Sequence, residues 1–152
     1  MTIISRSSAV AYIMTRHLYL LNASDSLLKA KRMFKEHSIR HLPVIADRQV
    51  VGILSHVDLI RLNFDGDVPT NPPGENQMFL ATLKVEDIMQ KNPDVVSENE
   101  SIEAVAIKLN NEKFHALPVI NEQGISGIVT TTDLINFFLS EKDVKFSEGK
   151  MP

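Results

Sequence analysis

Two stretches of the 152-residue chain copy one another at a constant offset of 75 residues. Leu42-Pro43-Val44-Ile45 leads to Gly52-Ile53-Leu54-Ser55-His56-Val57-Asp58, and Leu117-Pro118-Val119-Ile120 leads to Gly127-Ile128-Val129-Thr130-Thr131-Thr132-Asp133. Pro43, Gly52 and Asp58 match Pro118, Gly127 and Asp133 without a gap. A repeat of this kind marks one supersecondary unit used twice. A unit of about 60 residues would bury only about 60% of its unfolded surface alone. The two halves are therefore expected to pack together.

Each copy has the same grammar. Val10, Ile13 and Met14 recur as Val85, Ile88 and Met89, an i, i+3, i+4 pattern that predicts a short helix in front of each half. Leu18–Leu21 and Asp94–Ser97 are strand candidates. Helices follow, with buried stripes of Leu27, Ala30, Met33 and Phe34, and of Ile102, Val105, Ala106 and Leu109. Ser24 or Asp25, and Asn99, are their candidate caps. Pro43 and Pro118 exclude helix before them and open a hairpin. Its strands are Leu42–Ala46 with Val50–Leu54, and Leu117–Asn121 with Ile125–Val129. Gly124 supplies a positive φ in the second turn; Asp47-Arg48-Gln49 has no glycine and predicts another turn type. Gly52 and Gly127 stand inside strands, where glycine marks close approach by backbone or ligand. Closing helices are expected from Ser55 to about Leu62 and from Thr130 to about Ser140.

The expected organisation is residues 1–62 as the first repeat with its lead-in, 63–83 as linker, 84–140 as the second repeat and 141–152 as tail. Asn63–Gln77 is rich in Pro, Gly, Asn and Asp, as linkers are. Met78-Phe79-Leu80 can dock back on the core. The fold expected is α+β: two β-α-β-β-α repeats packed sheet to sheet about a pseudo-two-fold.

Composition narrows the function classes. With no cysteine, disulfides, thiolate catalysis and Cys-type zinc sites are absent. That agrees with a cytoplasmic protein. Net charge is −3 with scattered Lys and Arg, which disfavours nucleic acid as a partner. No segment approaches the roughly 18 apolar residues of a membrane span, and the start lacks a signal-peptide pattern. No nucleophile–base constellation or Walker loop is visible, so no catalytic residue is assigned and an enzyme is not expected. His37 and His41 have i, i+4 spacing but no third ligand, and no metal is expected.

The candidate binding residues cluster at the repeat's end. Thr130 opens a helix, whose N-terminus favours an anion through free N–H groups and the helix dipole. Asp133, one turn in, accepts hydrogen bonds and suits a ribose diol. Ser55 and Asp58 repeat the arrangement. The same Ser/Thr-x-x-Asp spacing is that of a capping box, and repeating it does not separate the two readings. Arg40, His41 and His115 stand just before the Leu-Pro-Val strands, where a cation can reach a phosphate. A solvated strand end explains them equally well.

These pieces together resemble a tandem pair of cystathionine β-synthase (CBS) domains, a Bateman module. The likeness rests on Ile13-Met14, Ser26-Leu27 with Ala30, Ile39–Val44 and Gly52–Asp58, and on Ile88-Met89, Ser101-Ile102 with Val105, Phe114–Val119 and Gly127–Asp133. It covers nearly everything from residue 9 to 140 except the linker. The resemblance implies clefts for adenosine ligands: AMP, ADP or ATP, with S-adenosylmethionine and NAD ranked behind them, and no required cofactor. It implies Asp58 and Asp133 on ribose, Ser55, Thr130 and Thr131 on ribose or phosphate, and Arg40, His41 and His115 facing phosphate. Leu20–Leu21 and Val95–Val96 would border adenine. It also implies a homodimer formed through helices, and a regulatory role on a separate, unidentified partner protein. The alternative is a structural dimerisation module with vestigial clefts. Ala116 departs from the family, standing where a basic or polar residue is often found.

Overall fold

The computed structural model describes residues 3–65, 75–112 and 114–140. The middle of the expected linker, 66–74, and the expected tail, 141–152, lie outside the described residues. The fold is mixed α+β with two β-α-β-β-α repeats. In the first repeat these are β1 (Leu21–Asn22), α1 (Leu27–His37), β2 (His41–Ala46), β3 (Gln49–Ser55) and α2 (His56–Asp65). Between the repeats come α3 (Glu75–Thr82), α4 (Val85–Ile88) and β4 (Gln90–Lys91). The second repeat has β5 (Val96–Ser97), α5 (Ile102–Glu112), β6 (Ala116–Asn121), β7 (Gly124–Thr130) and α6 (Thr131–Ser140). Among the described residues no helix is long and apolar enough to cross a membrane.

Packing divides the chain differently from the repeat. The described residues of Tyr19–Pro93 form one compact unit; those of Met1–Leu18 and Asp94–Pro152 form the other. Each lead segment thus serves the other repeat's core. Val85, Ile88 and Met89 pack with Leu21, Leu27, Leu42 and Leu54, whereas Val10 and Met14 pack with Val96, Ile102, Leu117 and Val129. Val10 and Val85 are fully buried. Each contributes roughly 1.5–3 kcal/mol in that position by apolar burial.

Backbone hydrogen bonds explain the exchange. The Leu27 N–H at the start of α1 donates to the Leu83 carbonyl, and the Ile102 N–H at the start of α5 donates to that of Ser8, both at 2.9 Å. Val85 N–H donates to the Asp25 carbonyl at 2.8 Å, and Val10 N–H to that of Glu100 at 2.7 Å. A helix start has donors with no intrahelical partner, and the incoming segment meets them. The helices are capped by Ser26 and Ser101, whose hydroxyls accept from Lys29 N–H at 3.2 Å and Ala104 N–H at 3.0 Å. This corrects the expected caps by one or two residues: Asp25 bonds the Asn22 N–H instead.

The first unit holds a sheet in the order β1-β2-β3-β4, with β1 parallel to β2 and the remaining pairs antiparallel. The second holds β5-β6-β7, with Thr15 bridged to Ile128 where the first unit has β4. Both hairpins slip register at one point, leaving Val51 and Ser126 as bulge residues beside Gly52 and Gly127. The glycines do mark close approach, and the approaching group is protein. A Cβ on Gly127 would lie 2.6 Å from the Met14 sulfur and 3.0 Å from the Thr15 carbonyl; one on Gly52 would collide with the Met89 sulfur and lie 3.0 Å from the Gln90 carbonyl. The turns differ as expected. Asp47 and Arg48 both have positive φ, the pattern of a type I′ turn, whereas the second hairpin places Gly124 at φ 119°.

Several boundaries differ from expectation. β1 and β5 begin later than the apolar runs, at Leu21 and Val96. α2 continues to Asp65, and α3 forms where a linker was read. Leu80 does dock: it is buried in the first unit's core, while Met78 and Phe79 stay exposed.

Candidate functional site

The hairpin carries each candidate residue to the start of the helix that follows it. In the first unit β3 ends at Ser55 and α2 begins at His56. The Asp58 N–H donates to Ser55 Oγ at 3.1 Å, and the Ser55 N–H donates to Asp58 Oδ2 at 2.9 Å. In the second unit the Asp133 N–H donates to Thr130 Oγ1 at 3.3 Å, and the Thr130 N–H donates to Asp133 Oδ2 at 2.9 Å. Both are complete capping boxes. The capping reading of the sequence is realised in full.

Capping does not exhaust the carboxylates. An ionised aspartate offers about four acceptor positions over two oxygens. In each box the cap uses Oδ2. Asp133 Oδ1 accepts from the Thr15 hydroxyl at 3.2 Å. Among the described residues no donor reaches Asp58 Oδ1. The residue equivalent to Thr15 is Gln90, which starts β4 and pairs with Ile53. The two sites are thus alike in backbone and unlike in whether a side-chain donor meets Oδ1 of the aspartate among the described residues.

The pre-strand residues come to the same place. His56 N–H donates to the Arg40 carbonyl at 2.8 Å, and Thr131 N–H donates to the His115 carbonyl at 3.0 Å. His41 lies opposite Ser55 across the β2–β3 pair, as Ala116 lies opposite Thr130. Arg40, His41, Ser55 and Asp58 are therefore gathered in the first unit, and His115, Thr130, Thr131 and Asp133 in the second. Arg40 and His115 are exposed; Ser55, Asp58, Thr130, Thr131 and Asp133 are half-buried.

One expectation is narrowed. The helix starts were read as sources of free backbone N–H groups. The N–H groups of Ser55, His56 and Asp58, and those of Thr130, Thr131 and Asp133, are all committed inside the protein. Among the described residues the Val57 and Thr132 N–H groups have no such partner, so an anion here would meet side chains and one backbone donor at each helix start. On the expected adenine side, Leu21 and Val96 are buried core residues, with Leu20 and Val95 half-buried beside them. His37 ends α1 and stacks on Tyr19 at 3.8 Å, while His41 lies in β2. Among the described residues no cluster of three or more His, Asp or Glu could hold a metal.

Sequence reasoning missed Thr15. Its neighbours Ile13-Met14 belong to the repeat, but the partner lies in the other copy, 118 residues away. Only the exchange of lead segments brings the two together.

The chain belongs to the CBS domain family, which matches residues 10–65 and 85–140. CBS pairs are generally regulatory binding modules rather than catalysts. Protein MJ1225 from Methanocaldococcus jannaschii is 24% identical over 136 residues, and its structure superposes with a TM-score of 0.75 over 89% of this chain. A crystal structure of CBSX2 in complex with AMP gives a TM-score of 0.72 at 28% identity, covering 89% of this chain and 98% of that one. An inosine-5'-monophosphate dehydrogenase from Korarchaeum cryptofilum is 31% identical over 120 residues, 78% of this chain. The chain spans 49% of the length of MJ1225 and 22% of that dehydrogenase.

Proposed function

We propose that the protein is a regulatory module that binds an adenine nucleotide, AMP, ADP or ATP, through Asp58 and Asp133 and acts on a separate partner protein. The carrying observation is the state of the two carboxylates. Each is held rigidly by its cap through one oxygen, at a helix start to which Arg40 or His115 is tied by the backbone. Asp58 keeps its second oxygen available among the described residues. A fixed acceptor, with Arg40 or His115 tied by the backbone to the same helix start, matches a ribose diol that carries a phosphate. The AMP complex of CBSX2 supports the ligand class. S-adenosylmethionine and NAD rank behind it.

Regulation follows if the ligand prefers one arrangement of subunits; a coupling of roughly 1–3 kcal/mol is enough. The subunit contact proposed is a homodimer through the helices. Val57 on α2, and Ile135, Phe138 and Leu139 on α6, are exposed apolar residues with little cover within their own units. Apolar patches of this kind mark protein contacts.

Thermal unfolding with AMP, ADP, ATP, NAD and S-adenosylmethionine tests the reading. A ligand at about 100 times its Kd adds roughly 2.7 kcal/mol of stability. Asp58→Asn and Asp133→Asn keep an acceptor for the cap, so each should weaken one site with little loss of stability. A melt unmoved by all five ligands leaves the second reading, a dimerisation module with vestigial clefts. Ala116 and the Thr15–Asp133 bond favour that second reading for the second unit.

A further inference from the structure

Apart from the carboxylate sites, the first unit carries a cleft of about 420 Å³ between its helices. That volume lies within the range of small-molecule sites, roughly 300–1,000 Å³. Its floor is apolar: Phe34 of α1, Leu59 of α2 and Leu80 of α3 are all nearly buried. Its rim is cationic. Lys31 and Lys35 stand one turn apart on α1, Arg40 follows the helix, and among the described residues no Asp or Glu lines the cleft. Among the described residues neither lysine is engaged in an ion pair. Ser55 and Asp58 are not part of the lining. The wall given by α3 lies outside both segments that match the family.

An apolar floor under a rim with three cationic side chains selects by charge as well as by hydrophobicity. A neutral apolar molecule leaves the cations unanswered, and an apolar cation is repelled by three of them. We propose that this helix-walled cleft is a second ligand site, for a small amphipathic anion: an aliphatic or aromatic body on Phe34, Leu59 and Leu80, with a carboxylate or phosphate head at Lys31 and Lys35. The head group reaches charge-assisted donors, which are stronger than neutral ones.

Calorimetric titration of the full chain with octanoate, octyl phosphate, octanol and octylamine, below micelle-forming concentrations, tests the assignment. Octanoate or octyl phosphate should bind, and whichever binds tighter assigns the head group. Octanol should bind roughly tenfold more weakly, and octylamine should show no binding. The double variant K31Q/K35Q should weaken the anion by roughly tenfold and leave AMP affinity unchanged. Ile60→Gln, in the exposed part of the wall, should weaken octanoate and octanol alike. The anion should still bind when AMP is saturating. Equal binding of octanol and octanoate, displacement by AMP, or indifference to K31Q/K35Q would each overturn the proposal. So would a change of oligomeric state in Ile60→Gln with no anion binding in the parent, which would make the cleft a contact between copies.

Discussion

The Thr15 hydroxyl donates to Asp133 Oδ1 at 3.2 Å across 118 residues of sequence, while Asp58, the equivalent carboxylate, receives no such bond among the described residues. The position of Thr15 is not accidental. Its N–H donates to the Ile128 carbonyl at 2.8 Å, and its carbonyl accepts from the Ile128 N–H at 3.0 Å. The backbone is pinned, so the hydroxyl is offered to Asp133 from a fixed point. A ligand diol at Asp133 would therefore compete with a protein donor for Oδ1, whereas at Asp58 it would not.

Removing that donor should help the ligand. Thr15→Val keeps the branched shape and deletes the hydroxyl. An exposed hydrogen bond has a net worth of roughly 0.5–1.5 kcal/mol, so affinity at the Asp133 site should rise about two- to tenfold. Calorimetry with AMP in an Asp58→Asn background isolates that site. Weaker binding in Thr15→Val would mean that Thr15 contacts the ligand itself.

The caps make a sharper pair. Ser26 and Ser101 cap α1 and α5, and Asn99 accepts a bond from nothing in the helix it precedes: its own N–H donates to Ser97 Oγ. Ser26→Ala and Ser101→Ala should each cost about 1 kcal/mol. Asn99→Ala should be neutral within about 0.5 kcal/mol. Urea unfolding of the three variants decides it, and equal losses for Asn99 and Ser101 would contradict the cap assignment.

The two hairpin turns should respond in opposite directions. Arg48 sits at φ 67°, a left-handed conformation in which a side chain is strained by roughly 1–2 kcal/mol. Arg48→Gly relieves that strain and should leave stability equal or higher, after glycine's own entropy cost of roughly 0.5–1 kcal/mol. Gly124 at φ 119° has no such freedom to give up, and Gly124→Ala should destabilise by roughly 1–3 kcal/mol. Thermal melts of both variants measure the signs.

Much of this molecule was legible because the repeat doubled every signal. The stripes of α1 and α5, the hairpins and the two capping boxes each followed from residues close in sequence. What escaped was set by contacts at long range. Val10 looks like the preface to the first repeat, but nothing local reveals that its N–H will bond Glu100. Leu80 was recognisable as a docking residue, yet Glu75–Thr82 reads as a helix only once Leu80 is buried against Phe34 and Leu59. At the candidate site, Ser55, Asp58, Thr130 and Asp133 were legible from spacing alone. The commitment of the His56 and Thr131 N–H groups was not, because Arg40 and His115 accept them through main-chain carbonyls, which carry no sequence signature.

The exchange of lead segments yields the last prediction. Gly127 leaves room for the Met14 side chain and the Thr15 carbonyl, so a methyl group there must push on both. Overpacking of this kind typically costs 1–3 kcal/mol. Met14 is flexible and unbranched, and part of the strain can be relieved by shortening it. Met14→Ala alone removes a buried side chain and should cost roughly 2–5 kcal/mol. The double variant G127A/M14A should be more stable than the sum of the single losses by at least about 0.5 kcal/mol, the coupling expected of residues in contact. The pair Gly127 and Met89 should show no coupling, although Met89 is the methionine that precedes the second repeat in sequence. Met89 covers Gly52 instead, so the cycle of Gly52→Ala with Met89→Ala should couple in its place. Measuring the three cycles by chemical denaturation tells the exchanged arrangement from the sequential one, since a sequential arrangement would couple Gly127 to Met89 and Gly52 to Met14.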